Sequence, residues 1–451
     1  MCGVVGIIGN DEAANHAYLA LHALQHRGQE SAGIVSTNGY DFHEKRGMGL
    51  VHSVFPDKSA LARLTGHAAI GHARYSTAGN SCESNIQPLL AKCQRGKIAI
   101  AHNGNLINAQ FLREKLETRG SIFSTTTDTE VILHLIAGSR AESFSEALLE
   151  ALGQIKGAFS LVILTADALY AVRDPQGFRP LVIGRFENSW TVASEACAFD
   201  LLGVPFLRKV EPGEVVKLSA EGLESIQFAE PNPQHCIFEL VYFSRPDSEV
   251  FDRSVLLSRE KLGRNLAREH PVTADVVVPI PDSGVAAATG YSLESGIPLR
   301  MGIIRNHYTG RTFIEPEQRI RDFGIRLKLN AVRSVLSGKR VVLIDDSIVR
   351  GTTSGKVVRM VKAAGATEVH MRITCPPTIS PCYYGIDTPR AAELIAANQG
   401  VEAIRESIGA DSLAYLSLQG LCQGAGQQKE EFCLSCFTGK HPLLHQIQKP
   451  G

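Results

Sequence analysis

The 451-residue chain has no excess of either charge: 46 lysines and arginines balance 46 aspartates and glutamates. No long basic run interrupts that balance, which removes the usual electrostatic footprint for nucleic acid or an anionic membrane. Nor is any stretch long and apolar enough to span a bilayer, and the first residues lack a charged-then-apolar signal segment. The expected location is therefore the cytoplasm, or an organelle after loss of a targeting segment. Internal repeats and low-complexity tracts are also missing. What remains is a chain 44% hydrophobic, long enough for two or three domains with substantial cores. Ten cysteines in such a compartment argue against a disulfide framework and for thiol or metal chemistry.

The first of those thiols is the most informative. Cys2 follows Met1 directly and opens the apolar run Cys2-Gly3-Val4-Val5-Gly6-Ile7. Removal of Met1 would leave one residue with both a thiol and a free α-amine. That amine titrates near ~8, so it can accept the thiol proton without a histidine partner. Alone the feature is weak, because a free cysteine is most often a small buried hydrophobe. Four runs follow it in order: LQHRGQESAGI from Leu24, GHARYSTAG from Gly71, AHNGNL from Ala101 and TDTEV from Thr127.

With those runs, residues 2–230 closely resemble the N-terminal-nucleophile class of glutamine amidotransferases. The resemblance implies an αββα sandwich in which Cys2 attacks the glutamine side-chain amide. Such an attack needs donors aimed at the developing oxyanion, worth roughly 3 kcal/mol apiece. Asn103 offers an amide N–H, and Gly104 permits close backbone approach. The resemblance places Arg74 and Asp128 on the carboxylate and ammonium of glutamine, a fork-shaped cation and a carboxylate for opposite charges. Each residue alone has an ordinary alternative: His102-Asn103-Gly104 as a hairpin turn, Arg74 as a surface ion pair, Asp128 as a helix N-cap.

The polar, proline-containing stretch Glu230-Pro231-Asn232-Pro233-Gln234-His235 is the expected junction to a second domain over 231–451. Beyond it, strands and helices alternate: strands over 274–279, 340–344 and 368–374, with helices over 285–293 and 354–364. Alternation of this kind predicts a parallel sheet with ligands at the carboxyl ends of its strands. At one such end stands VVLIDDSIVRGTT, Val341 to Thr353, which resembles the diphosphoribosyl-binding signature of type I phosphoribosyltransferases. Asp345 and Asp346 suit ribose hydroxyls, and Ser347, Gly351, Thr352 and Thr353 open a helix whose N-terminus takes a phosphate. A doubly wound domain with an acidic helix cap is the plainer alternative. Asp282 and Ser283 look like the family's pyrophosphate loop, with Mg²⁺ expected at Ser283, Asp345 and Asp346 alongside substrate oxygens. The stretch from Arg305 to Arg321 resembles the mobile lid of this family, with Arg311 as a phosphate contact.

Both halves together resemble the glutamine phosphoribosylpyrophosphate amidotransferases. The resemblance implies that ammonia from glutamine passes internally to displace pyrophosphate from phosphoribosyl pyrophosphate, giving 5-phosphoribosylamine for purine synthesis. It further implies a homotetramer inhibited by purine nucleotides. Cys433 and Cys436 form a C-x-x-C pair. With Cys236 and Cys382 they match the positions that bind a [4Fe–4S] cluster in one branch of the family. Zinc and four unrelated core thiols stay open as readings of the same residues. Leu256, His307 and Gly284 depart from familiar relatives. A phosphoribosyl-pyrophosphate sensor and a different amidotransferase of this nucleophile class are the rival functions, and the run from Val341 to Thr353 speaks against both.

Overall fold

The opening strand, Gly3–Ile8, shows why the first half is layered. Side chains alternate across a strand, and here both faces are apolar. Val5 and Ile7 enter a core shared with the helix Ala13–Ala23, whereas Val4 and Ile8 enter one between two sheets. Such a strand must lie inside a sandwich. In the computed structural model, which describes residues 1–75, 81–307, 328–426 and 429–444, it is the central strand of seven. Its neighbours Ala68–Arg74 and Ser189–Ala193 are both antiparallel to it.

A second antiparallel sheet of six strands lies against the first. Its strand Gly96–Leu106 repeats the same logic: Ala99 and Ala101 face the inter-sheet core, while Ile98 and Ile100 face the helices Thr129–Gly138 and Phe144–Leu152. Helix, sheet, sheet and helix make the expected αββα sandwich. The run His102-Asn103-Gly104 is therefore strand, not hairpin turn. Strand and partner bring Cys2 and Asn103 together from positions about a hundred residues apart.

Glu230–Gln234 carries no regular structure and runs along the first half, with Asn232 N donating to Pro175 O and Gln234 N to Gln176 O. The second half is built on four parallel strands in the order Val276–Pro279, Arg340–Asp345, Glu368–Ile373 and Ser412–Tyr415. Near-continuous valine, leucine and isoleucine in the first two reflect burial on both faces. Helices Val255–Glu269, Val285–Ser295 and Thr352–Ala363 cover the sheet. Among the described residues no helix is long and apolar enough to cross a membrane.

Gly284 stands at the N-terminus of the helix Val285–Ser295, and a Cβ there would lie 2.4 Å from the Ile344 carbonyl oxygen. Its departure from a hydroxyl residue thus has a packing reason. Leu256 lies on the half-exposed face of its helix and does not line the cavity described below.

Candidate active sites

Cys2 is nearly buried, at 5% exposure, and its surroundings are closely determined. Its N–H donates to Asn103 Oδ1 at 3.0 Å, its Sγ lies 3.5 Å from Tyr75 O, and its own carbonyl accepts from Arg27 Nε at 3.0 Å. Because Asn103 uses its carbonyl oxygen on Cys2, its amide nitrogen is left over: Nδ2 is buried without a partner among the described residues. An orphaned buried donor costs about 1–3 kcal/mol, and one beside a nucleophile fits an oxyanion that forms only during reaction. Gly104 follows because nothing larger fits. A Cβ there would sit 2.0 Å from Ala158 O and 2.7 Å from His102 Nε2.

Met1 is present, buried, with Arg179 Nη1 directed at its sulfur at 2.6 Å. Burial pushes its α-amine from 8 down to about 5.

Beneath the thiol lies a network that the motifs did not single out. Arg27 forks onto Glu239 at 2.8 and 3.0 Å and also bonds Glu195, all three being buried. Burial would raise the Glu195 carboxyl, but Arg27 outweighs it and holds the pKa well below the usual range. Arg27 stands within the first quoted run, but Glu195 and Glu239 sit in ordinary sequence. Only the fold could join them.

Arg74 is buried and paired with Glu30 at 2.8 Å, so it is no surface ion pair. Asp128 occupies the N-cap position of the helix Thr129–Gly138 yet makes no side-chain cap bond. Instead Oδ2 accepts from Leu106 N at 2.8 Å, and Oδ1 lies 3.6 Å from His102 Nδ1. Burial opposes the charge on both members. Their mutual attraction nevertheless wins, lowering the Asp128 pKa and raising that of His102.

The second site is a cavity of about 790 Å³ at the carboxyl ends of the parallel strands. Ser283, Asp345, Asp346, Ser347 and Gly351 to Thr353 line it, as sequence placed them. Burial and the neighbouring Asp346 charge push the Asp345 carboxyl well above its ordinary value. Asp282 is not in the lining; it is half-exposed and bonded to Arg305. Arg311 and most of the expected lid lie outside the described residues. The first half contributes His26, Gln29 and Tyr75 to the wall, which the motifs did not foretell.

The four candidate ligand thiols share one neighbourhood. Cys236 and Cys433 are directly paired across two short parallel strands, His235–Cys236 and Phe432–Cys433. Burial pushes the Cys433 thiol up to about 12, with Cys236 and Cys382 adding to the effect. Cys436 is raised by burial and then by Cys236, Cys433 and Cys382. Tyr384 N–H points at Cys382 Sγ, 3.3 Å away. Among the described residues no three His, Cys, Asp or Glu side chains close on a single metal ion.

An N-terminal-nucleophile glutaminase fold joined to a phosphoribosyltransferase fold defines the class of protein. A glutamine amidotransferase domain model matches residues 72–200 and a phosphoribosyl transferase domain model residues 257–379. The chain is 55% identical to the chloroplastic amidophosphoribosyltransferase of Vigna aconitifolia over 100% of this chain and 93% of that protein. It is 49% identical to the amidophosphoribosyltransferase of Bacillus subtilis, over 98% and 94% respectively. A solved glutamine phosphoribosylpyrophosphate amidotransferase from B. subtilis, complexed with ADP and GMP, superposes with a TM-score of 0.93 at 48% identity, covering 98% of this chain and 97% of that one. The chain belongs to the amidophosphoribosyltransferase family.

Proposed function

We propose that the amidophosphoribosyltransferase activity of this chain, the first step of purine biosynthesis, is divided between the two sites as follows. Arg74 and Asp128 hold the carboxylate and ammonium of glutamine. The Cys2 thiol attacks the side-chain amide, its proton passing to the α-amine that removal of Met1 would free, and Asn103 Nδ2 with the Gly104 N–H receives the oxyanion. Collapse releases ammonia and leaves an acyl-enzyme that water hydrolyses to glutamate.

The ammonia is consumed in the second site. There the helix N-terminus at Gly351 to Thr353 takes the 5-phosphate, Asp345 and Asp346 hold the ribose hydroxyls, and Ser283 faces the pyrophosphate. Ser283, Asp345 and Asp346 would hold a magnesium ion, whose chemistry there would be neutralisation of charge on the leaving pyrophosphate. Tyr75 carries the reading of two coupled sites: its carbonyl faces the thiol, and the same residue lines the transferase cavity. In this reading the ammonia passes beside Tyr75.

Cys236, Cys382, Cys433 and Cys436 would hold a [4Fe–4S] cluster, which would supply a structural cross-link between the C-terminal segment and the junction. A homotetramer in the cytoplasm or a plastid, inhibited by purine nucleotides at the transferase cavity, completes the reading; the B. subtilis structure with ADP and GMP supports the inhibitor class. The division of labour is tested by incubating the protein with glutamine and phosphoribosyl pyrophosphate and measuring glutamate and pyrophosphate together. Equal yields of both are expected, and glutamate without pyrophosphate would refute it.

A further inference from the structure

One short segment, Cys382 to Pro389, touches both sites. Its first part lies behind the strand that carries Asn103. Asn105 Nδ2 donates to Tyr383 O at 2.9 Å, and the buried Arg179 donates through Nε to Tyr384 O at 3.2 Å. The Tyr384 ring stacks on Phe178 with centroids 4.5 Å apart, and its hydroxyl accepts from Leu443 N at 3.1 Å. Gly385 comes next, with φ at +100°. A Cβ on it would lie 2.9 Å from Gly104 C and 3.0 Å from both Gly104 Cα and O. Backbone thus meets backbone, and Gly104 is held between Gly385 and the Ala158 carbonyl. Past it, Ile386 to Pro389 line the transferase cavity.

We propose that this strap positions the oxyanion donors of the glutaminase site, with Gly385 setting how far Gly104 and Asn103 stand from the Cys2 thiol. Asn103 Oδ1 is already anchored on Cys2 N, so the aim of Nδ2 depends on where the strand backbone sits. Donors of this kind act only if fixed in place before the reaction, and small displacements are expensive. One end of the strap is anchored by the packed Tyr384 ring, and the other forms part of the cavity wall. Gly385 is a positioning residue: it touches no reacting atom and acts through Gly104. The inference rests on the assignment of Asn103 and Gly104 made above.

Gly385→Ala forces its methyl group onto the Gly104 backbone. Because the donors act in the transition state, glutaminase kcat should fall by about 10-fold or more while KM for glutamine changes by less than about twofold. Synthesis from ammonia should stay within about twofold of wild type. Asn105→Ala removes the bond to Tyr383 O without adding an atom. It should lower glutaminase kcat about threefold, again with KM held, and it keeps the test available if Gly385→Ala does not fold. Asn103→Ala, measured alongside, separates the two layers of the argument. If it leaves kcat unchanged, the donor assignment fails and the strap with it. If it loses activity while Gly385→Ala folds with unchanged kcat, only the strap is overturned. Equal losses of glutamine- and ammonia-dependent synthesis in Gly385→Ala, or an Asn105→Ala enzyme indistinguishable from wild type, overturn it as well.

Discussion

The glutaminase site and the transferase site solve opposite problems. Around Cys2 the charges already have partners: Arg27 with Glu195 and Glu239, Arg74 with Glu30, Asp128 with His102. Among the described residues Asn103 Nδ2 is buried there without a partner, and it is the donor the proposed reaction would use. Around Asp345 and Asp346 the reverse holds, for among the described residues no salt bridge reaches either carboxylate. Burial and mutual repulsion raise the Asp345 pKa. One site is built in advance; the other is completed by its ligand. A small zwitterion with a single scissile amide suits the first arrangement, and a highly charged, metal-bearing substrate suits the second.

The sharpest way to break this contrast is to remove the nucleophile. Cys2→Ala should lower glutamine-dependent synthesis by more than about 10⁴-fold, about 5 kcal/mol of barrier. Synthesis from high ammonia should be largely intact, because the thiol serves one site alone. Loss of both activities in a folded variant would mean that the sites are not separable. Next in size is the double change Asp345→Asn with Asp346→Asn, which should cost about 10²–10³ in synthesis with either nitrogen source. Basal glutamate release should survive. Steady-state assays with glutamine and then ammonia decide it, and sustained turnover with ammonia would place ribose recognition elsewhere.

A smaller effect is expected at the four candidate ligand thiols. Cys433→Ser should bleach a brown protein, reduce iron and sulfide per chain, and lower unfolding stability by about 2 kcal/mol or more, since metal binding is also folding free energy. Elemental analysis and urea unfolding of anaerobically purified protein measure both. Zinc in place of iron and sulfide would reassign the four thiols.

What the sequence revealed follows from the kind of interaction involved. The strand at Gly3–Ile8 and the parallel strands at Val276–Pro279 and Arg340–Asp345 declare themselves through apolar pattern. The loop Asp345 to Thr353 does so because phosphate recognition needs local backbone, so its residues are contiguous. Helix starts were less legible: the helix after that loop begins at Thr352, earlier than its apolar face suggests, since its first turn is occupied with binding. Asn103 was legible as a side-chain amide donor, but its place on a strand and its unpaired Nδ2 were not, because the latter depends on Cys2 N arriving from the chain's beginning. Glu195, Glu239 and Gly385 were invisible for a similar reason. Each matters through a partner distant in sequence, and nothing local marks it. Asp282 is a motif residue whose side chain pairs with Arg305, itself a residue of the cavity wall.

The finest distinction between the sites concerns pH, through the His102–Asp128 pair, whose carboxylate is the proposed partner of the glutamine ammonium. His102 has a folded pKa above its unfolded value, so its stabilising contribution is fully present below about 6.5 and is lost as pH rises through the folded value. Asp128 has a folded pKa below its unfolded one. Its contribution is present above about 3.9 and is lost as pH falls through the folded value. The pair therefore contributes most between those limits and less in alkali. His102→Gln removes the cation and leaves Asp128 buried beside Leu106 N alone among charged and backbone partners of comparable closeness. The stability gap between wild type and His102→Gln, from urea unfolding, should be larger at pH 5.5 than at pH 8.5, and KM for glutamine in the variant should rise as Asp128 loses its hold on the ionised form. A gap that does not change with pH would show that His102 is neutral in the folded protein, and the first site would then keep one charge, on Asp128, for its substrate to satisfy.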